Sequence, residues 1–257
     1  MRRPLIAANW KMHGRLAMVA TYLAQLRAAE IPTGVELVLC PPAPYLEKMA
    51  AGTAGFETVT VGAQDCSAEK GDGAYTGDIS AQMLADAGCR WTIVGHSERR
   101  RGRGESDAVI AAKFAAAESA GLVPILCVGE TSDERQANRA EEVVVGQVEA
   151  VIDRSGAGAF TRAVIAYEPV WAIGTGKAAT PDVARDMHRL VRESVGRHDR
   201  AAAEALRILY GGSVKPDNAA AFFTAPGIDG ALVGGASLVP ASLLSIAAAA
   251  ADSANRD

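Results

Sequence analysis

Eight short apolar, partly β-branched runs recur along the chain, each followed by a loop of Gly, Asn, Ser or charged residues and then by an amphipathic stretch. The runs are Leu5 to Asn9, Val35 to Cys40, Thr58 to Ala63, Trp91 to Val94, Val123 to Val128, Ala163 to Tyr167, Arg207 to Tyr210 and Gly230 to Val233. Helices are expected near Arg15 to Ala29, Pro44 to Ala51, Ser80 to Ala87, Ser106 to Ala120, Asp133 to Ile152, Pro181 to Gly196, Pro216 to Phe223 and Pro240 to Ala250. Thr180 before Pro181 reads as an N-cap, and Gly121 or Gly196 as a stop. Strict alternation of strand and helix requires a parallel sheet, because each crossover lays a helix on one face of it. A doubly wound open sheet would carry Gly-x-Gly-x-x-Gly after its first strand, but this first strand runs into Trp10-Lys11-Met12-His13-Gly14. Eight units in 257 residues instead predict one domain over residues 1–257, a closed (β/α)8 barrel with its active site at the carboxyl ends of the strands.

Composition narrows the partners. Apolar residues make up 49% of the chain against 22% charged, enough for a large core. The 26 basic and 30 acidic residues leave a net charge of −4, which argues against nucleic acid. The dense basic run Arg99-Arg100-Arg101 with Arg103 sits beside Glu98, Glu105 and Asp107 and reads as structural ion pairs. Cys40, Cys66, Cys89 and Cys127 show neither Cys-x-x-Cys nor zinc-finger spacing, so reduced thiols serving as small hydrophobes are expected. The apolar run after Met1-Arg2-Arg3-Pro4 is cut short by Asn9 and Lys11, too early for a signal peptide, and no segment reaches membrane-spanning length. The expected compartment is the cytoplasm, with no membrane partner.

The strand ends collect complementary chemistry. Strand one ends in Asn9-Trp10-Lys11, strand four in Gly95-His96-Ser97-Glu98, and strand six in the carboxylate of Glu168. A lysine is a fixed positive charge, a histidine at the start of a helix can be a neutral donor, and a carboxylate beside an apolar flap can be a base. Each also has an ordinary reading: Lys11 as a solvated cation, His96 as a helix cap, Glu98 as a partner for Lys11 or an arginine. Together on one rim they are hard to explain as decoration, whereas His13, His188 and His198 lack this company and read as surface or packing residues. After Glu168, Pro169 fixes the chain and Gly174 and Gly176 release it, leaving the apolar tip Val170-Trp171-Ala172-Ile173 between two hinges. Such a segment reads as a lid that expels water from a reacting centre. Strands seven and eight end in Tyr210-Gly211-Gly212-Ser213 and Val233-Gly234-Gly235-Ala236-Ser237, where missing side chains let backbone N–H groups approach an anion.

Asn9-Trp10-Lys11, Gly95-His96-Ser97-Glu98, Ala166-Tyr167-Glu168-Pro169-Val170-Trp171-Ala172-Ile173-Gly174, Tyr210-Gly211-Gly212-Ser213 and Leu232-Val233-Gly234-Gly235 together resemble the signatures of the triosephosphate isomerase family, over essentially the whole chain. The resemblance implies a (β/α)8 TIM barrel and cofactor-free interconversion of dihydroxyacetone phosphate and glyceraldehyde 3-phosphate through an enediol(ate). It implies Glu168 as base, His96 as electrophile, Lys11 as the charge that binds substrate, and Asn9 and Glu98 as supports. Asn9 and Lys11 would touch substrate, and Gly174, Ser213, Gly234 and Gly235 would offer backbone donors to the phosphate. Pro169 and Trp171 would belong to the lid, with Ile173 and Leu232 as an apolar clamp on Glu168. Ala178, Asp65 and His13 depart from common residues of the family, away from the reacting groups. Two rivals are a same-fold isomerase of a four-carbon ketose phosphate and a catalytically silent barrel used for binding. Finally, Asp65 to Ile79 is a polar, Gly-rich excursion too long for an ordinary loop. By resemblance it docks into a second copy of the chain, placing Thr76 near the partner's Asn9 and Lys11 in a homodimer.

Overall fold

In the computed structural model, which describes residues 2–173 and 179–254, eight parallel strands close into a barrel in sequence order. They are β1 (Leu5–Asn9), β2 (Glu36–Cys40), β3 (Val59–Ala63), β4 (Trp91–Val94), β5 (Val123–Val128), β6 (Val164–Tyr167), β7 (Arg207–Tyr210) and β8 (Gly230–Val233). Each begins within a residue of its expected start, because a strand buried on both faces is a continuous apolar run that ends where polarity returns. The seam that closes the barrel pairs Leu5 with Gly230 through Ala8 with Val233. At Gly230, φ is 141° and a Cβ would lie 1.9 Å from the Leu5 carbonyl oxygen, so only glycine lets these two strands meet.

Side chains alternate between two cores. Leu5, Ala7, Val38, Ile93, Ile125 and Leu209 point inward and fill the barrel, whereas Ile6, Ala8, Leu37, Leu39, Leu126 and Ile208 face the surrounding helices. The helices follow local signals. Ser80, Ser106 and Thr180 each cap a helix by accepting a backbone N–H from the third residue on. Gly121 stops a helix at φ 78°, but Gly196 is the last residue inside its helix.

Three helical expectations need correction. The stretch Asp133 to Ile152 is two helices, Ser132–Gln136 and Ala140–Ser155, broken where Asn138 takes φ 55°. Thr131 and Glu134 close a reciprocal cap on the first, which makes it a separate unit despite the continuous polar pattern. Pro216 to Phe223 shortens to Ala219–Phe223, and Arg200–Ala205, capped by Asp199, was not anticipated. No helix among the described residues is long and apolar enough to cross a membrane.

Candidate active site

Glu168 sits one residue past β6, its N–H donating to the Val128 carbonyl at 2.7 Å, so the strand ladder fixes its backbone at the rim. The side chain is 2% exposed. Its Oε2 accepts from the Ser97 N–H at 2.8 Å, and its Oε1 lies 3.3 Å from the Ser97 hydroxyl and 3.0 Å from His96 Nε2. Gly211 makes the space: a Cβ there would come within 2.9 Å of Glu168 Cγ.

His96 ends the β4 turn and caps the helix Ser97–Arg103. Its Nδ1 accepts the Glu98 N–H at 3.2 Å, so that nitrogen carries no proton and the ring presents Nε2–H to Glu168. The helix start therefore serves both partners, the Ser97 N–H holding the carboxylate and the next, of Glu98, holding the imidazole.

Lys11 leaves β1 with φ 51°, a left-handed conformation rare outside glycine and asparagine. Three contacts over-determine it: its N–H donates to Asn9 Oδ1 at 2.9 Å, its carbonyl accepts Gln64 Nε2 at 2.9 Å, and its Nζ meets Glu98 Oε1 at 2.5 Å. Partial burial pushes the Glu98 carboxyl up. The hydrogen bond and charge of the Lys11 ammonium outweigh that, so it titrates below the ordinary carboxylate range. Gln64, which also bonds the Cys40 carbonyl at 2.8 Å, was missed in the sequence, as was Ser97 as the holder of Glu168. Both act across the fold, and no local spacing announces them.

A cavity of about 720 Å³ joins these groups. Asn9, Lys11, His96 and Glu168 form one wall, Ser213, Gly234 and Gly235 another, and Ile173 and Leu232 add apolar surface. Gly174 lies outside the described residues. Trp171 points elsewhere: its Nε1 donates to Glu130 Oε1 at 2.8 Å and its ring lies 4.9 Å beneath the Arg135 guanidinium. Glu130, fully buried, also accepts from Arg135 and Tyr167, and the Val170 N–H donates to its carbonyl. Pro169 accepts the Ala172 N–H at 2.8 Å, curling the segment tightly before the undescribed stretch.

The remaining candidates behave as ordinary residues. Arg99 pairs with Asp65 and Glu105, and Arg100 with Asp107, as the ion-pair reading expects. His188 is buried and His198 pairs with Glu149, but His13 lines the cavity, its Nδ1 2.9 Å from the Trp10 carbonyl. All four cysteines are buried and free, and burial pushes the Cys66 and Cys89 thiols up to about 12. Among the described residues no group of His, Cys, Asp and Glu is placed to hold a metal ion.

The chain as a whole is similar to known proteins. A family model described as Triosephosphate isomerase matches residues 4–250. A triosephosphate isomerase of Pseudomonas paraeruginosa is 52% identical over 238 residues, covering 93% of this chain and 94% of that protein. One from Xanthomonas campestris pv. campestris is 49% identical over 253 residues, covering 98% of this chain and 99% of its own.

Proposed function

The chain belongs to the triosephosphate isomerase family, and we propose that it interconverts dihydroxyacetone phosphate and D-glyceraldehyde 3-phosphate without a cofactor, in glycolysis and gluconeogenesis. The observation that carries the mechanism is the 3.0 Å approach of His96 Nε2 to Glu168 Oε1 at the floor of the cavity. A donor and a carboxylate so placed match two neighbouring features of a triose, the carbonyl oxygen and the C–H beside it. Glu168 exchanges its Ser97 contacts for the substrate carbon and removes the proton, while His96 Nε2–H and the Lys11 ammonium take up the charge on the oxygen. The hydroxyl proton on the first carbon's oxygen passes to the former carbonyl oxygen beside His96, and return of the Glu168 proton to the adjacent carbon completes the isomerisation. Glu98 and Asn9 hold Lys11 in place, and the backbone of Ser213, Gly234 and Gly235 binds the phosphate. Ile173 and Leu232 clamp the carboxylate when the Pro169 to Ile173 segment covers the site.

Coupled assays on three- and four-carbon ketose phosphates test the substrate, and inactivity on both would leave only the binding-protein reading. Lys11→Met tests the charge: kcat/KM is expected to fall by roughly 10²–10³, and a near-normal value would move the electrostatic role elsewhere.

The second reading concerns assembly. The 65–79 excursion is tied to itself by Ser67 N–H to the Ile79 carbonyl at 2.8 Å and Ser67 Oγ to Asp78 at 2.7 Å, which presents a stiff tip with Tyr75 half exposed. A second cavity of about 790 Å³, lined by Lys11, Met12 and the loop's own Ser67 and Tyr75, opens beside it, and Met12 is 95% exposed. Tip and cavity fit an isologous homodimer in which each chain's loop packs beside the other's Lys11. Shortening the loop across Gly71 to Gly77 is then expected to give a folded monomer of sharply reduced activity, measured by sedimentation and kinetics. A fully active monomer would remove the partner from the site.

A further inference from the structure

The phosphate loop is a weak structure on its own. After β8 the chain makes a four-residue 3₁₀ turn, Gly235–Leu238, closed by the Ser237 N–H on the Gly234 carbonyl at 2.8 Å. So short a turn has too few internal bonds to fix its own place and depends on what grips it from outside. The grip comes from behind the barrel. Tyr22, on the helix Leu16–Ala28, donates its hydroxyl to the Ser237 carbonyl at 3.0 Å. Both residues are buried, Tyr22 at 2% exposure and Ser237 at 0%.

Helical spacing alone makes position 22 a core position beside Val19, Leu23 and Leu26, and a leucine would meet that need. The phenol is the unexpected part, since burying a hydroxyl is unfavourable unless it finds a partner. Its ring meets Trp10 edge-on, centroids 4.8 Å apart, and Trp10 separates Asn9 from Lys11. One side chain thus touches the lysine wall of the cavity through Trp10 and the phosphate wall through Ser237. The Trp10 indole N–H faces the Tyr22 oxygen closely enough to act on its titration, so the hydroxyl stands between Trp10 and the Ser237 carbonyl. Burial raises the Tyr22 phenol far above its ordinary range, so it stays a donor wherever the enzyme works.

We propose that Tyr22 is a positioning residue for substrate phosphate, its hydroxyl fixing the turn that presents Gly234 and Gly235 to the cavity. The proposal rests on the assignment of those glycines as the phosphate loop. Tyr22→Phe keeps the ring and its edge-on packing on Trp10 and removes the hydroxyl, leaving the Ser237 carbonyl buried without its donor. The variant is expected to raise both KM for the triose phosphate and the inhibition constant of inorganic phosphate roughly three- to tenfold, with kcat changed less than about twofold. A lowered melting temperature with KM and phosphate inhibition unchanged would reduce Tyr22 to a packing residue and overturn the proposal. Tyr22→Leu, which also loses the ring, is expected to show at least the same loss of phosphate affinity. The underlying assignment is read separately in the unsubstituted protein, where the Gly234 and Gly235 amide resonances should move on titration with inorganic phosphate. Unmoved amides would overturn the loop assignment and the proposal together. Moving amides with an unchanged Tyr22→Phe would overturn the proposal alone.

Discussion

Two carboxylates, the half-buried Asp229 and the buried Glu168, stand at opposite ends of the barrel. Asp229, just before β8, accepts from Arg2 Nε at 2.8 Å, Arg192 Nη2 at 2.9 Å and the Ile208 N–H at 2.8 Å. Glu168, just after β6, is held by the Ser97 N–H, the Ser97 hydroxyl and a His96 ring whose Nδ1 is already an acceptor, with the Cys127 thiol also beside it. The first is paired with two guanidiniums, while the partners of the second are neutral donors. An acid beside cations is locked, because withdrawing it strands two charges. An acid held by neutral donors can exchange them for another partner at a smaller cost, which is what a base must do each turnover. The bottom of the barrel thus spends its charges on closure, and the top keeps one available.

The sharpest way to break this contrast is at the top. Glu168→Asp withdraws the carboxylate by one methylene and is expected to lower kcat by roughly 10²–10⁴ with little change in thermal midpoint. Steady-state kinetics beside a melting curve decide it, and near-normal turnover would exclude Glu168 as base. The converse change at the bottom, Asp229→Asn, leaves Arg2 and Arg192 facing a neutral amide. Unfolding stability should fall by about 3 kcal/mol with kcat and KM unchanged. If denaturant titration instead found full stability and the assay found lost turnover, the division of labour between the two ends would be wrong.

A gentler test uses acid. His188 is fully buried beside the Asp229 network, its Nδ1 3.1 Å from the Gly227 carbonyl, and burial first of all lowers its pKa to about 4. The unfolded chain protonates this ring near pH 6.5 and the folded chain does not, so the unfolded state binds the extra proton in between. Stability is full above about pH 6.5 and declines as pH falls towards 4, by up to ~3 kcal/mol from this group. His188→Gln is expected to flatten that part of the stability profile while leaving the activity profile unmoved. An unaltered slope would assign the acid sensitivity to other groups.

How much of this was legible in the sequence depends on the range over which each feature acts. The eight strands could be read because a strand buried on both faces writes its apolar run locally. The helix break at Asn138 could not, since a left-handed asparagine inside a continuous polar pattern leaves no signal without its cap geometry. Glu168, His96, Lys11 and Asn9 were recognisable at their strand ends, and the fold brings all four to one cavity. Ser97 and Gln64 were not, because each acts on a residue distant in the chain: Ser97 on Glu168, Gln64 on Lys11. Chemistry is local in a sequence and positioning is not.

The seam between β1 and β8 also has a consequence in time. Every other strand pair forms between neighbours in the chain, but β1 waits for Gly230, the start of the last strand. At ~5–20 residues per second of synthesis, that wait is roughly ten to forty-five seconds. Throughout it the nascent sheet carries two open edges, each a row of unpaired N–H and C=O groups able to template another chain. Gly230 ends that exposure, so slowing translation before it, or any substitution there that delays pairing with Leu5, should raise aggregation during synthesis without weakening the finished barrel's other seven seams.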